Sequence, residues 1–141
     1  MALNQFSRTQ LLLGQESMDL LANATVAVFG IGGVGGYTVE APARSGVGHC
    51  VLVDDDKVCL TNINRQIIAT RRSVGKYKVD VMKERILDIN PKAEVEVYKC
   101  FYLPENADDF DFSKYSYVVD AVDTVTAKIE IIMRAKACNV P

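Results

Sequence analysis

The hydrophobic period changes from block to block along this chain, and each change predicts an element. Gln5–Ala22 carries Leu11, Leu12, Met18, Leu20 and Leu21 at helical intervals, with a C-cap or bend at Gly14. Thr25–Phe29 is almost wholly apolar, which suits a central parallel strand covered on both faces. A helix is expected from about Val34 to Ser45, closed by Gly46; Pro42 inside it should kink it or end it early. His49–Asp54 reads as a second strand and Asn64–Ala69 as a short helical stretch. Tyr77–Asn90 places Val81, Met82, Ile86 and Ile89 at helical spacing, with Pro91 just beyond. Glu94–Tyr98 alternates as a strand does, and Tyr117–Ala121 is a fourth strand. Between them Pro104–Phe112 is an acidic loop with one helical turn. Thr124–Cys138 is a last helix with Ile129, Ile132, Met133 and Ala137 on one face.

Strands alternating with helices give an α/β fold, a Rossmann-like parallel sheet with flanking helices and expected strand order 3-2-1-4. At 141 residues the chain is one domain, residues 1–141. Its sequence stops just after a helix, where an αβ unit would begin its next strand. It therefore reads as the N-terminal part of a longer protein, truncated at the C-terminus.

Composition narrows the function. A net charge of −2 and a pI near 5.4 argue against holding nucleic acid by bulk electrostatics. A local patch is still open to the chain at Arg71, Arg72 and Lys76, although a solvated charge run is the plainer reading. No apolar run approaches the ~20 residues of a membrane span, and no signal peptide is visible. None of Cys50, Cys59, Cys100 and Cys138 forms a Cys-x-x-Cys pair, and Cys50 and Cys138 read as small buried hydrophobes. A reducing, cytoplasmic setting is expected.

The candidate chemistry lies at the strand ends. Gly30-Ile-Gly32-Gly33-Val-Gly35 joins a strand to a helix and aims backbone N–H groups at an anion. Asp54, ending the second strand, suits a ribose hydroxyl, or else caps the next turn. Asn62 and Arg65 share one helical turn with Gln66 beside them. Arg65 lies among Ile63, Ile67 and Ile68, where an arginine needs an anion, either a phosphate or a structural partner. Lys78 opens a helix against the macrodipole, which a bound anion would offset; the alternative is a solvated lysine. Asp123 follows the fourth strand and suits Mg²⁺ beside a triphosphate, or a helix N-cap. Two cations and a magnesium-type acid favour a triphosphate over NAD. His49, the only histidine, opens a strand with no acid or nucleophile patterned around it and reads as structural.

These segments, with Arg44-Ser-Gly-Val-Gly48, Leu52-Val-Asp-Asp-Asp56, Asn62-Ile-Asn-Arg-Gln66, Val74-Gly75-x-x-Lys78-Val79, Asp88-Ile-Asn-Pro91 and Val119-Asp-Ala-Val-Asp123, succeed one another in a recognisable order. The chain resembles the ThiF-like adenylyltransferases, relatives of the ubiquitin-activating enzymes, from about Phe6 to Pro141. The resemblance implies an ATP- and Mg²⁺-dependent enzyme. Gly30, Gly32, Gly33, Gly35 and Gln66 would belong to its nucleotide site, with Asp54 on the ribose and Asn62, Arg65 and Lys78 on the triphosphate. Asp123 would sit at the metal and α-phosphate. Arg8 matches an arginine that reaches into the partner's site in homodimers, although Thr9 comes after it where the family commonly has Arg-Gln directly. Pro42 replaces an aliphatic residue. Asp120–Lys128 and Thr61–Ile67 look most like the tRNA threonylcarbamoyladenosine dehydratases, which implies ATP-dependent cyclodehydration at tRNA position 37. The alternatives are activation of a sulfur-carrier protein, which would bring sulfur-transfer partners, an NAD-binding oxidoreductase module, and a non-catalytic scaffold.

Overall fold

The computed structural model describes residues 2–141. Its elements run α1 (Ser7–Leu13), α2 (Gln15–Asn23), β1 (Thr25–Phe29), α3 (Gly33–Ser45), β2 (His49–Val53), α4 (Lys78–Ile89), β3 (Glu94–Tyr98), β4 (Tyr117–Asp120) and α5 (Val125–Ala137). The four strands form one parallel sheet in the order β3-β2-β1-β4, as the element pattern predicts. Register aligns the strand ends: Phe29 lies opposite both Val53 and Asp120, so β1, β2 and β4 end flush. The residues that leave them, Gly30, Asp54 and Ala121, therefore emerge on one edge of the sheet.

Alternate strand residues feed two cores. Val26, Val28, Cys50 and Leu52 pack with Val39 and Ala43 of α3 and with Val79, Met82 and Ile86 of α4. Ala27, Phe29, Val51 and Val53 point the other way, onto Ala127 and Ile131 of α5 and an aromatic cluster. Phe29 is its centre, stacked on Phe112 at 5.5 Å and edge-on to Tyr102 at 4.7 Å. Burial on both faces explains why β1 is an unbroken apolar run.

Pro42 does not end α3, which continues to Ser45. It sits in the last turn, and its carbonyl accepts from the N–H groups of Gly46 and Val47, with Gly46 left-handed at φ 98°. The helical stretch expected over Asn64–Ala69 is instead a 3₁₀ turn at Leu60–Asn62 and then irregular turns. Side chains there take up the backbone. Asn62 Oδ1 accepts from Cys59 N at 2.9 Å, and Ser73 Oγ donates to Ile68 O at 2.8 Å, bonds that compete with a continuing helix.

The apolar face expected for α5 is not the buried one. Ile129, Ile132 and Met133 are exposed, and α5 packs through Ala127 and Ile131. Leu11, Leu12 and Leu20 are likewise exposed; Met18 and the half-buried Leu21 anchor α2. Cys138 is exposed, whereas Cys50 is buried, and burial pushes the Cys50 thiol up to about 11. His49 does have an acid. Parallel register sets it against Glu94, with Nε2 and Oε2 2.9 Å apart, a cross-strand pair that no local pattern displays.

Candidate active site

A cleft of about 540 Å³ opens where β1, β2 and β4 end. Gly30 turns the chain at φ 94°, and its N–H donates to Val53 O at 2.8 Å, so the sheet ladder continues to the rim. A Cβ on Gly30 would meet Ala121 O at 2.5 Å. Gly32 is the N-cap of α3 and has no side chain to cap with, which leaves N–H groups of the first turn open to an anion. Gly30, Gly32 and Gly33 line the cleft. Gly35 does not. It is buried behind the loop, where a Cβ would overlap the Gly30 carbonyl oxygen. Its role in this structure is close packing of helix on turn.

Asp54 sits at the end of β2, half-buried, and ties the loop down. Its Oδ2 accepts from Ile31 N at 2.7 Å and its Oδ1 from Asp56 N at 2.8 Å. Each carboxylate oxygen keeps a lone pair for a ribose hydroxyl. Lys78 is not the solvated lysine of the plainer reading. It is 5 % exposed at the first residue of α4, and its Nζ donates to Asp56 Oδ2 at 3.1 Å. A buried ammonium at the positive end of a helix needs an anion. Asp56, itself well exposed, supplies one that a phosphate could replace.

Asn62, Arg65 and Gln66 reach the same cleft from one turn, because Asn62 O accepts from the N–H groups of both Arg65 and Gln66. Arg65 is exposed and not in an apolar setting: Ile68 is buried, but Ile63 points outward. Its guanidinium donates to Thr61 O and Asn64 Oδ1, which orients it along the cleft wall. Gln66 is buried, with Oε1 lacking a partner among the described residues. Asp123 lines the cleft and is exposed. The N-cap of α5 is Thr124, so Asp123 does not cap that helix. The neighbouring Asp120 is occupied by Lys128, 3.2 Å away, a pair that ties β4 to α5.

Arg8 is not at this cleft. It is exposed on α1, whose preceding Phe6 packs by Gly46, at the opposite end of the sheet. Any role in a nucleotide site would be in a second subunit.

Two features of the wall go beyond the motifs. Asp56 belongs to the Leu52–Asp56 segment, but nothing in that segment shows that it pairs with Lys78, 22 residues away. Cys100, Phe101 and Tyr102 come after β3 and close one side of the cleft. The rule that loops after parallel strands line the crevice could have found them. Burial raises the Cys100 thiol, and Tyr102, with no partner for its hydroxyl among the described residues, is pushed up to about 12 by burial. A larger hollow of about 690 Å³ lies between α5 and the outer edge of β4, where Val118 N donates to Pro141 O at 2.9 Å, but its wall is mostly aliphatic and brings no glycine turn or converging charges together.

The model of the ThiF family matches residues 6–141. The tRNA threonylcarbamoyladenosine dehydratase of Bacillus subtilis is 48 % identical over 139 residues, 99 % of this chain and 55 % of the relative. The enzyme of that name from Escherichia coli is 44 % identical, over 97 % of this chain and 51 % of its own. The crystal structure of the E. coli tRNA N6-threonylcarbamoyladenosine dehydratase in complex with ATP superposes with a TM-score of 0.94 at 44 % identity, covering 97 % of this chain and 56 % of that one. This chain spans about half the length of the curated relatives it matches. With sequence and backbone in agreement over nearly all of its residues, the chain belongs to the ThiF family.

Proposed function

We propose that this chain is the nucleotide-binding part of an ATP-dependent enzyme that cyclises N6-threonylcarbamoyladenosine at position 37 of tRNA with loss of water. The observation that carries the reading is the joining in one cleft of a glycine turn without a side-chain cap, a buried Lys78 and an Asp123 with no ion pair among the described residues. NAD would need neither the cationic clamp nor the free carboxylate.

The residues fit ATP and Mg²⁺. The open N–H groups of the glycine turn and the unpartnered Gln66 Oε1 mark a wall built for a polar ligand. Asp54 would hold the ribose, while Asn62, Arg65 and Lys78 would hold the phosphates. Asp123 would hold the metal, which favours one or two carboxylates together with phosphate oxygens. ATP supplies the activated phosphoryl group that turns a carboxylate oxygen into a leaving group. Arg65 and Lys78 stabilise the charge that develops on that group, in a site where donors are already aimed. The carbamoyl group of the same nucleoside would attack the activated carbonyl and give up a proton, and the C–O bond to the activated oxygen would break, so that this oxygen leaves on the phosphoryl or adenylyl group. Arg8 would complete the site from the second subunit of a homodimer, since its place at the far end of the sheet rules out a contribution to its own cleft.

The test is a reaction of the full-length protein with ATP·Mg²⁺ and tRNA carrying threonylcarbamoyladenosine, with nucleoside mass spectrometry as the readout. The modified nucleoside is expected to lose the mass of one water. A nucleoside of unchanged mass, with adenylation of a sulfur-carrier protein at its C-terminus in the parallel reaction, would favour the family's other chemistry and its sulfur-transfer partners.

A further inference from the structure

We infer that the loop Thr70–Lys76 is the grip on the RNA backbone, with Arg71, Arg72 and Lys76 as its phosphate contacts; this rests on the tRNA reading above. The three side chains are exposed and enter no ion pair among the described residues. Their backbone is fixed. Buried Ser73 accepts from Thr70 N at 2.8 Å and donates to Ile68 O, while Lys76 N bonds Ser73 O at 3.0 Å. Val58 clamps the far side: Gly75 N donates to Val58 O, and Val58 N to Lys76 O, both at 2.8 Å. Gly75, at φ 88°, makes the turn. A backbone held this way needs no ordering on binding, which leaves only the three side chains to be fixed.

Its position suits a substrate grip. Arg65 and Gln66 precede the loop and Lys78 comes after it, and all three line the cleft. None of the loop's own residues lines the cleft, but Lys76 is two residues from Lys78, so the loop shares a chain segment with the phosphate-site residues. Arg72 and Lys76 also wall a hollow of about 270 Å³. Of the other charges there, Arg85 is neutralised by Glu40 at 2.6 Å, which leaves Glu84 as the opposing carboxylate. The chain as a whole is acidic, so an RNA must be attracted locally. A protein partner fits less well. Val74, 40 % exposed, is the loop's sole exposed large apolar side chain, whereas protein interfaces centre on buried aromatic or aliphatic anchors.

The test compares full-length wild type with the triple variant Arg71→Ala, Arg72→Ala, Lys76→Ala. Binding of tRNA carrying threonylcarbamoyladenosine is measured across a salt series, and ATP affinity alongside. The variant should bind tRNA roughly tenfold or more weakly, with the slope of log affinity against log salt shallower by roughly 2 to 3. ATP affinity should stay within about twofold, which also shows that the variant is folded. Arg71→Lys with Arg72→Lys should keep the wild-type slope, because it keeps the charge. An unchanged slope and affinity in the triple variant, with wild type cyclising its tRNA, would overturn the loop assignment alone. A variant that keeps tRNA but loses an acidic carrier protein would overturn it in favour of a protein partner. Wild type that binds no tRNA would overturn both this inference and the tRNA reading.

Discussion

Gly35→Ala should lower stability by about 3 kcal/mol or more, lowering Tm by roughly 10 °C in a domain of this size. The direction is not what helix propensity gives. Gly35 lies inside α3, and alanine there would ordinarily add about 1 kcal/mol of helix stability. Here the new Cβ would overlap the Gly30 carbonyl and press on Ala121 Cβ at 3.3 Å. Neither is the end of a flexible side chain, so α3 must lift away from the glycine turn and the cleft loses its wall. Gly14→Ala provides the contrast. Gly14, at φ 83° and ψ 165°, lies in a backbone region essentially confined to glycine but has open space around it, so alanine costs backbone strain alone, about 1–3 kcal/mol. Thermal denaturation of both variants checks the pair. A stabilised Gly35→Ala would show that the helix does not pack on the turn.

Asp123→Asn in the full-length protein should cut the rate of tRNA cyclisation by a factor on the order of 100 or more while leaving tRNA binding within about twofold. Asparagine keeps the size and removes the charge. Asp123 does not cap α5, and the Asp120–Lys128 pair that ties α5 to the sheet is untouched. The fold therefore has little reason to respond, and a loss of turnover reports on the metal and phosphate. Nucleoside mass spectrometry reads the rate and filter binding reads the RNA. Equal turnover in wild type and variant would remove Asp123 from the site.

Much of this architecture is legible in the sequence because it depends on order and period. Strand order comes from alternating elements, and the flush ends of β1, β2 and β4 bring the glycine turn, Asp54 and Asp123 together without any long-range information. What is illegible depends on three-dimensional partners. Pro42 lies in a closing turn that runs on to Ser45 and is capped by Gly46 and Val47 bonding its carbonyl. The face that α5 buries cannot be read from periodicity, since Ala127 and Ile131 form a second apolar stripe beside the bulkier Ile129, Ile132 and Met133. Lys78 reads equally well as a surface lysine until Asp56 is seen to hold it. Arg65 lines the cleft as expected, but not for the expected reason, because its isoleucine neighbours do not surround it. The pairing of His49 with Glu94 exists only through parallel register.

Titration of ATP·Mg²⁺ and of NAD into the wild-type chain and into Arg65→Ala and Lys78→Ala tests the central claim most directly, namely that this cleft is a triphosphate site. Wild type should bind ATP·Mg²⁺ and not NAD. Each variant, with an unchanged circular-dichroism spectrum, should lose about 1.5–3 kcal/mol of ATP binding, roughly 10- to 100-fold in affinity, because each removes one charged phosphate contact. ATP affinity unchanged in both folded variants, or NAD bound as well as ATP, would contradict it.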